Sequence, residues 1–160
     1  MPNSREYQAL DAMKTRLEGI TTANGYETDV QLVQIFDEFP DQVREFPAIL
    51  FKPLRTERPD NERLQRIDAR IDVPLILLLE TYEEGTRKLS NFVADVEKRL
   101  TSDPSTGALD TTLGGATKDL HVRSDERFQF EDDAGDRRAA ALLEVQLVVR
   151  YAFGDPFTTA

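Results

Sequence analysis

The chain has no cysteine and no tryptophan, one histidine and two methionines in 160 residues. Without cysteine there is no disulfide, no thiolate metal site and no cysteine nucleophile. With His121 as the sole imidazole, no His-rich metal centre can be assembled, and a Ser-His-Asp relay would have one residue to draw on. Basic charge is also scarce: 20 Lys and Arg stand against 30 Asp and Glu, a net charge of −10. A protein that grips nucleic acid needs a basic footprint for the phosphates, and this composition argues against one. Long apolar runs are missing too. The longest, Val73 to Leu79, falls far short of the ~20 residues that span a bilayer. The opening MPNSREYQAL lacks a basic stretch followed by an apolar one, so no secretory signal is expected and the chain reads as a cytoplasmic product.

What is present fits one globular unit, and 1–160 is read as a single domain. At 39% hydrophobic and 31% charged residues, the chain can fill a core beneath a heavily solvated surface. Ser4 precedes a stripe of Tyr7, Leu10, Met13, Leu17 and Ile20, which predicts an N-capped helix over about 5–19. Thr22-Ala-Asn-Gly25 is turn chemistry. Residues 28–36 read as a strand with Val33 and Ile35 facing one way and Val30 and Leu32 the other. Phe46 to Phe51 is a second short strand, with Pro47 near its start, where a missing amide donor is tolerated. Pro59, sparse apolar residues and charges of both signs make 55–70 a mobile connection, with at most a helical turn at Leu64 and Ile67.

Ile71 to Tyr82 is the strongest strand, apolar on both faces between Val73 and Leu79, as in a central strand covered on both sides. Pro74 requires one missing ladder bond within it. Thr86 is the expected cap of a helix over 86–101, whose Leu89, Phe92, Val93, Val96 and Leu100 form one apolar face. Lys98 and Arg99 suit its C-terminal dipole, and Asp103-Pro104 ends it. After a loop over 105–116 come two long strands, 117–130 and 139–153, around a charged turn. Leu120, Val122, Phe128 and Phe130 are expected on one face of the first, with Ser124 and Glu126 interrupting it. Leu143, Val145, Leu147, Val149, Tyr151 and Phe153 alternate with polar residues in the second. The fold class is therefore α+β: a mainly antiparallel β-sheet with helices packed on one face and a long C-terminal β-hairpin.

Each residue of a type that carries chemistry has a plainer explanation. His121 lacks a positioned nucleophile or acid in any motif and reads as a surface histidine. Leu113-Gly-Gly-Ala116 matches neither GxxxxGK[ST] nor GxGxxG, and its glycines suit a turn with positive φ. Glu83 and Glu84 precede a helix start, where carboxylates meet the positive end of the dipole. Asp132, Asp133 and Asp136 lack the D-x-[DN]-x-[DN]-G order of a calcium loop and read as a solvated tip. No catalytic, cofactor-binding or metal-ligating residue is expected.

Charge distribution is more telling. Between 125 and 136, six acids stand against Arg127, so this stretch carries −5 of the net charge, followed at once by Arg137 and Arg138. Arms of about 14 residues at ~3.4 Å rise extend roughly 48 Å, whereas a chain of this length has a radius of gyration near ~15 Å. Such a hairpin is expected to bend or to project, and exposed aromatics on a free edge form an association surface. The candidate subunit or partner interface is therefore Phe128, Phe130, Asp132, Asp133, Asp136, Arg137 and Arg138.

Several segments, taken in order, resemble a known family. They are Gly25-Tyr-Glu-Thr-Asp-Val30 after the first helix, Phe46-Pro-Ala-Ile-Leu50, and the helix from Leu89 to Leu100. Leu113-Gly-Gly115, the closing strand Leu143 to Tyr151, and Asp155-Pro156 complete the series. Over about 30 to 156 this order is similar to that of tail terminator proteins, also called tail completion proteins, of long-tailed bacteriophages. The resemblance implies an α+β subunit that forms a hexameric ring on the finished tail tube, stops its polymerisation and offers a surface for head joining. It implies as partners further copies of the chain, the tail tube protein and a head-completion or neck protein. DNA would pass through the lumen without specific binding, and no membrane would be involved. The implied location is the tail–neck junction of the virion, after assembly in the host cytoplasm. The family has no catalytic residues to carry over and needs no cofactor. The competing reading is a small-molecule-binding or regulatory α+β domain, which requires an apolar pocket with a few convergent polar groups.

Overall fold

The computed structural model describes residues 3–40, 42–59, 65–80 and 83–157. Two helices, α1 (Arg5–Glu18) and α2 (Gly85–Thr101), pack on one face of a six-stranded sheet. The strands are β1 (Leu32–Ile35), β2 (Ala48–Phe51), β3 (Arg55–Glu57), β4 (Arg66–Leu79), β5 (Asp119–Glu131) and β6 (Arg137–Ala152). They lie in the order β1-β2-β4-β6-β5, with β3 also on β4, and all pairings are antiparallel except β1 with β2. This is the α+β sheet, helix layer and C-terminal hairpin that the sequence pattern predicts.

The main core lies between sheet and helices. Ala9, Met13 and Leu17 of α1 and Leu89, Phe92, Val96 and Leu100 of α2 meet the alternate residues Ile71, Val73 and Leu75 of β4 and Leu143, Val145 and Leu147 of β6. The Ser4 hydroxyl accepts the Tyr7 amide at 3.2 Å and caps α1 as expected. Tyr7 itself is exposed, not part of the stripe. The buried set centres on Met13, and at ~100° per residue Tyr7 lies about 120° from that centre. Ala9 takes the inward position instead. A second correction concerns α2. The chain enters it through Glu84 at φ 54°, whose carboxylate pairs with Arg87 at 2.6 Å, and no side chain caps the helix. Thr86 lies inside the first turn because the helix already begins at Gly85.

β4 is central, bonded to β2 and β3 on one side and β6 on the other. Only its last residues are apolar-covered on both faces, since Ile76 and Leu78 join a smaller cluster of Phe36, Ala48, Leu50 and Ala140 on the outer face. The register locates the ladder bond that Pro74 forgoes. Asp72 presents its carbonyl to the Leu54 amide at 2.8 Å, and the period of two sends the Pro74 nitrogen to the same side. There the register of β3 stops at Asp72 and that of β2 starts at Leu75, so no strand partner waits for an amide.

The expected mobile connection over 55–70 is in good part strand. Arg55–Glu57 form β3, and β4 already begins at Arg66. Ile67, Ala69, Ile71 and Val73 alternate with Asp68, Arg70 and Asp72, the signature of a strand buried on one face. Asp68 is neutralised by Arg150, at 2.7 and 3.0 Å, and by Lys118 at 2.9 Å. Ile67 thus belongs to β4, and Leu64 of the expected helical turn lies outside the described residues.

The hairpin does not project as a free arm. β6 pairs with β4 along its length, from Arg66↔Ala152 to Leu79↔Ala139, so three long strands share the extension. β5 is the sheet edge, and from Arg123 to Glu131 every residue of it is exposed.

Candidate interaction surface

A bulge in β5 decides which way the hairpin aromatics face. Val122 pairs with Val145 and Ser124 with Glu144, so Arg123 is an extra residue opposite a single step of β6. Before the bulge, Leu120 and Val122 share the helix side with Leu147 and Val145. Beyond it the parity inverts: Asp125 and Arg127 oppose inward Leu143 and Ala141, while Phe128 opposes outward Ala140. The Arg127 guanidinium donates to the Ser90 hydroxyl of α2 at 2.7 Å, fixing the direction. The expectation that Leu120, Val122, Phe128 and Phe130 share one face is therefore corrected. Phe128 and Phe130, 47% and 37% exposed with ring centroids 6.1 Å apart, stand on the outer face, away from both helices.

On that face the irregular crossover from β1 to β2 brings Phe39, Val43 and Phe46 beside the hairpin tip. Phe46 precedes Pro47, whose carbonyl accepts the Gln31 amide at 2.9 Å and anchors the end of the crossover to the approach of β1. Between crossover and tip lies a cleft of about 600 Å³, lined by Phe39, Val43, Phe46, Leu78 and Phe130 with Glu131, Asp132, Asp133 and Arg138 at its polar side. Arg138 forms one wall. Its guanidinium sits 4.5 Å from the Phe46 ring, donates to Asp132 at 3.0 Å and Asp136 at 3.3 Å, and reaches the Glu80 carbonyl at 2.6 Å.

The acidic tip is an ordered turn. Asp132 Oδ1 accepts the amides of Ala134 and Asp136 at 3.0 and 2.9 Å, and Gly135 at φ 82° allows the chain to close. The Asp136 amide first, then the Arg138 guanidinium, hold the Asp132 carboxyl below its ordinary range despite some desolvation. Of the residues expected at an interface, Phe128 and Phe130 are brought together on one face, and Asp132, Asp136 and Arg138 are joined in one network. Asp133 lines the cleft and is exposed, as is Arg137 opposite Glu131 in register. Asp132 and Arg138 are thus builders of the tip, and Phe128, Phe130 and Asp133 its presented groups. Among the described residues no group of three or more His, Asp or Glu could hold a metal ion.

His121 lies on the outer face before the bulge, half exposed, its Nε2 3.2 Å from Asp119 Oδ2. The neighbouring cleft is polar, with Asp68, Arg70, Lys118 and Arg123, and brings no nucleophile to the imidazole. The Leu113-Gly114-Gly115 turn has φ values of 50°, 70° and 93°, the positive-φ turn expected. Its donors are already taken by the chain: Asp110 accepts the amides of Thr112 at 2.8 Å and Gly114 at 3.1 Å, so no phosphate cradle is open. Sequence reasoning passed over Asp110 and its partner Arg16. Arg16 is buried between α1 and the loop after α2, donating to Asp110 at 3.0 Å and to the Ser102 carbonyl at 2.9 Å. A charge at an inward helix position, three residues after Met13, was the available signal.

Two carboxyls, Asp68 and Asp110, are held far below the ordinary range. Arg150 leads for Asp68, and the Thr112 hydroxyl leads for Asp110, each overcoming partial desolvation. A depressed folded pKa contributes stability that is complete above the unfolded carboxyl range near ~4, begins to fall as pH drops into that range, and is gone only below the lowered folded pKa. The Tm advantage of the wild type over Asp68→Asn should therefore be largest near neutrality and shrink below about pH 5. Thermal melts of both from pH 7 to 3 check this; a gap that is flat or widens on acidification would contradict it.

Compared with known proteins, the chain matches no protein-family model, and no curated protein is similar to it in sequence. Among the described residues no helix is long and apolar enough to cross a membrane.

Proposed function

We propose that the chain is a ring-forming structural subunit of a phage tail, a tail terminator that caps the tail tube, stops its polymerisation and carries the head-joining surface. The observation that carries this reading is a sheet with two unlike edges. It ends in short β1 on one side and, on the other, in β5, exposed from Arg123 to Glu131 and followed by an ordered acidic turn. A subunit whose two association surfaces differ joins head to tail, and such contacts close into rings when the rotation allows. The resemblance in element order to tail terminators supplies the number six and the tail context. A net charge of −10 per subunit suits a ring through which DNA passes, since a negative wall repels phosphate within a Debye length of ~8 Å and forms no salt-dependent grip.

Phe128→Ser with Phe130→Ser should weaken assembly while leaving the fold intact, because both rings stand on the outer face beyond the main core. Sedimentation of the double variant beside wild type, with circular dichroism as the folding control, tests the assignment. A variant that assembles like wild type would remove this face from the interface. The functional test is tube growth: added to polymerising tail tube protein, the chain should bind one end and limit tube length. Unbound protein and unlimited growth would contradict the proposal.

A small-molecule-binding domain is the second reading. The cleft at the hairpin tip favours it, since about 600 Å³ with an apolar floor and one partly buried guanidinium falls within the ~300–1,000 Å³ of ligand pockets. A strictly monomeric protein would turn the balance to that reading.

A further inference from the structure

The cleft and the ring need a common account of what enters the cleft. Its lining is amphipathic. Phe39, Val43, Phe46, Leu78 and Phe130 offer an apolar floor, whereas Glu131, Asp132 and Asp133 set three carboxylates against the single guanidinium of Arg138, which Asp132 and Asp136 already hold. An occupant should therefore present a large apolar side chain flanked by cations. Among the exposed large hydrophobic residues described, Leu54 alone has this context. It is 71% exposed and sits in Lys52-Pro-Leu-Arg55, with no acid within two positions. Tyr7, Phe39, Leu109, Phe128, Phe130, Phe153 and Phe157 each have an acid within two positions.

Leu54 cannot serve its own cleft. Its amide is bonded to Asp72, six residues along β4 from cleft-lining Leu78, which at ~3.3 Å per residue is about 20 Å away. We infer that the 52–55 corner of one copy inserts Leu54 into the hairpin-tip cleft of the next, with Lys52 and Arg55 facing Glu131 and Asp133. Corner and cleft are different patches of one subunit, so the contact is heterologous and repeats around a ring. Arg55 has an ion pair with Glu57 at 2.5 Å, but both side chains are largely exposed, and such a pair holds the guanidinium weakly. Lys52 rests over the Phe36 ring at 5.5 Å, where its stem is directed and its ammonium stays free for a carboxylate. This inference rests on the ring-forming reading and names the two surfaces that would meet.

A cysteine-free chain makes the test clean. Pro53→Cys and Ala134→Cys each alter an exposed residue beside the contact and leave Leu54, Glu131 and Asp133 in place. Mixed and mildly oxidised, the two variants should give a disulfide-linked dimer about tenfold above either variant alone, because docking raises the effective thiol concentration. Charge reversal gives an independent arm. Glu131→Lys with Asp133→Lys should raise the concentration for half assembly about tenfold, and adding Lys52→Glu with Arg55→Glu should restore it. Wild type that assembles while the mixture fails to cross-link, or while the reversal has no effect, would overturn the contact and leave the ring reading standing. Wild type that stays monomeric at every concentration would overturn both.

Discussion

Phe92→Ala should cost ~3–5 kcal/mol of unfolding free energy, the range for truncating a fully buried aromatic side chain. Phe92 is wholly buried in the middle of α2 and belongs to the cluster that joins both helices to β4 and β6. Removing the ring leaves a void that close-packed neighbours fill only in part, so the loss exceeds the transfer free energy of the missing atoms. Urea unfolding at neutral pH checks it: the midpoint should fall with little change in slope. An unchanged midpoint would mean that α2 does not seal this core.

Asp110→Ala should be the second large effect, roughly 3 kcal/mol, because removing the partly buried carboxylate strands the buried Arg16 guanidinium. Arg16 would retain the Ser102 carbonyl but lose its counter-charge, and the amides of Thr112 and Gly114 would lose their acceptor. The damage should be local as well as global. Hydrogen exchange should quicken in the 110–117 turn more than in β4. A companion variant, Arg16→Met, removes the stranded charge and should recover part of the loss when combined with Asp110→Ala. Additive destabilisation in the double variant would show that the two residues do not act as a pair.

Much of this architecture was legible because burial on one face writes itself as a period. The stripe from Leu89 to Leu100 fixes α2, and alternation from Leu143 to Tyr151 fixes β6. Where charges occupy the outward half of a period, the same signal is harder to see. Asp68 and Arg70 disguised residues 66–70 of β4 as a connection, although Ile67 and Ala69 already kept the alternation that Ile71 continues. The bulge at Arg123 left only a faint mark: Ser124 and Glu126 interrupt the apolar face that Leu120 and Val122 begin, but no turn residue identifies the extra residue that sends Phe128 and Phe130 to the outer face. The interface list was legible as residues but not as roles. Asp132 and Arg138 proved to be the internal braces of the turn, and the cleft beside them depends on Phe39 and Phe46, more than eighty residues away in sequence. Long-range meetings of that kind follow from the crossover between parallel β1 and β2, which no local pattern announces.

The central claim is that unlike surfaces of one subunit close a ring, and the solution mass of the purified chain tests it most directly. Sedimentation equilibrium across a wide concentration range, at moderate salt, reads that mass without labels or partners. The account predicts a discrete species at six times the 18.2 kDa of the single chain, appearing cooperatively as concentration rises. A chain that remains at the single-chain mass throughout, or that stops at a symmetric dimer, would contradict it.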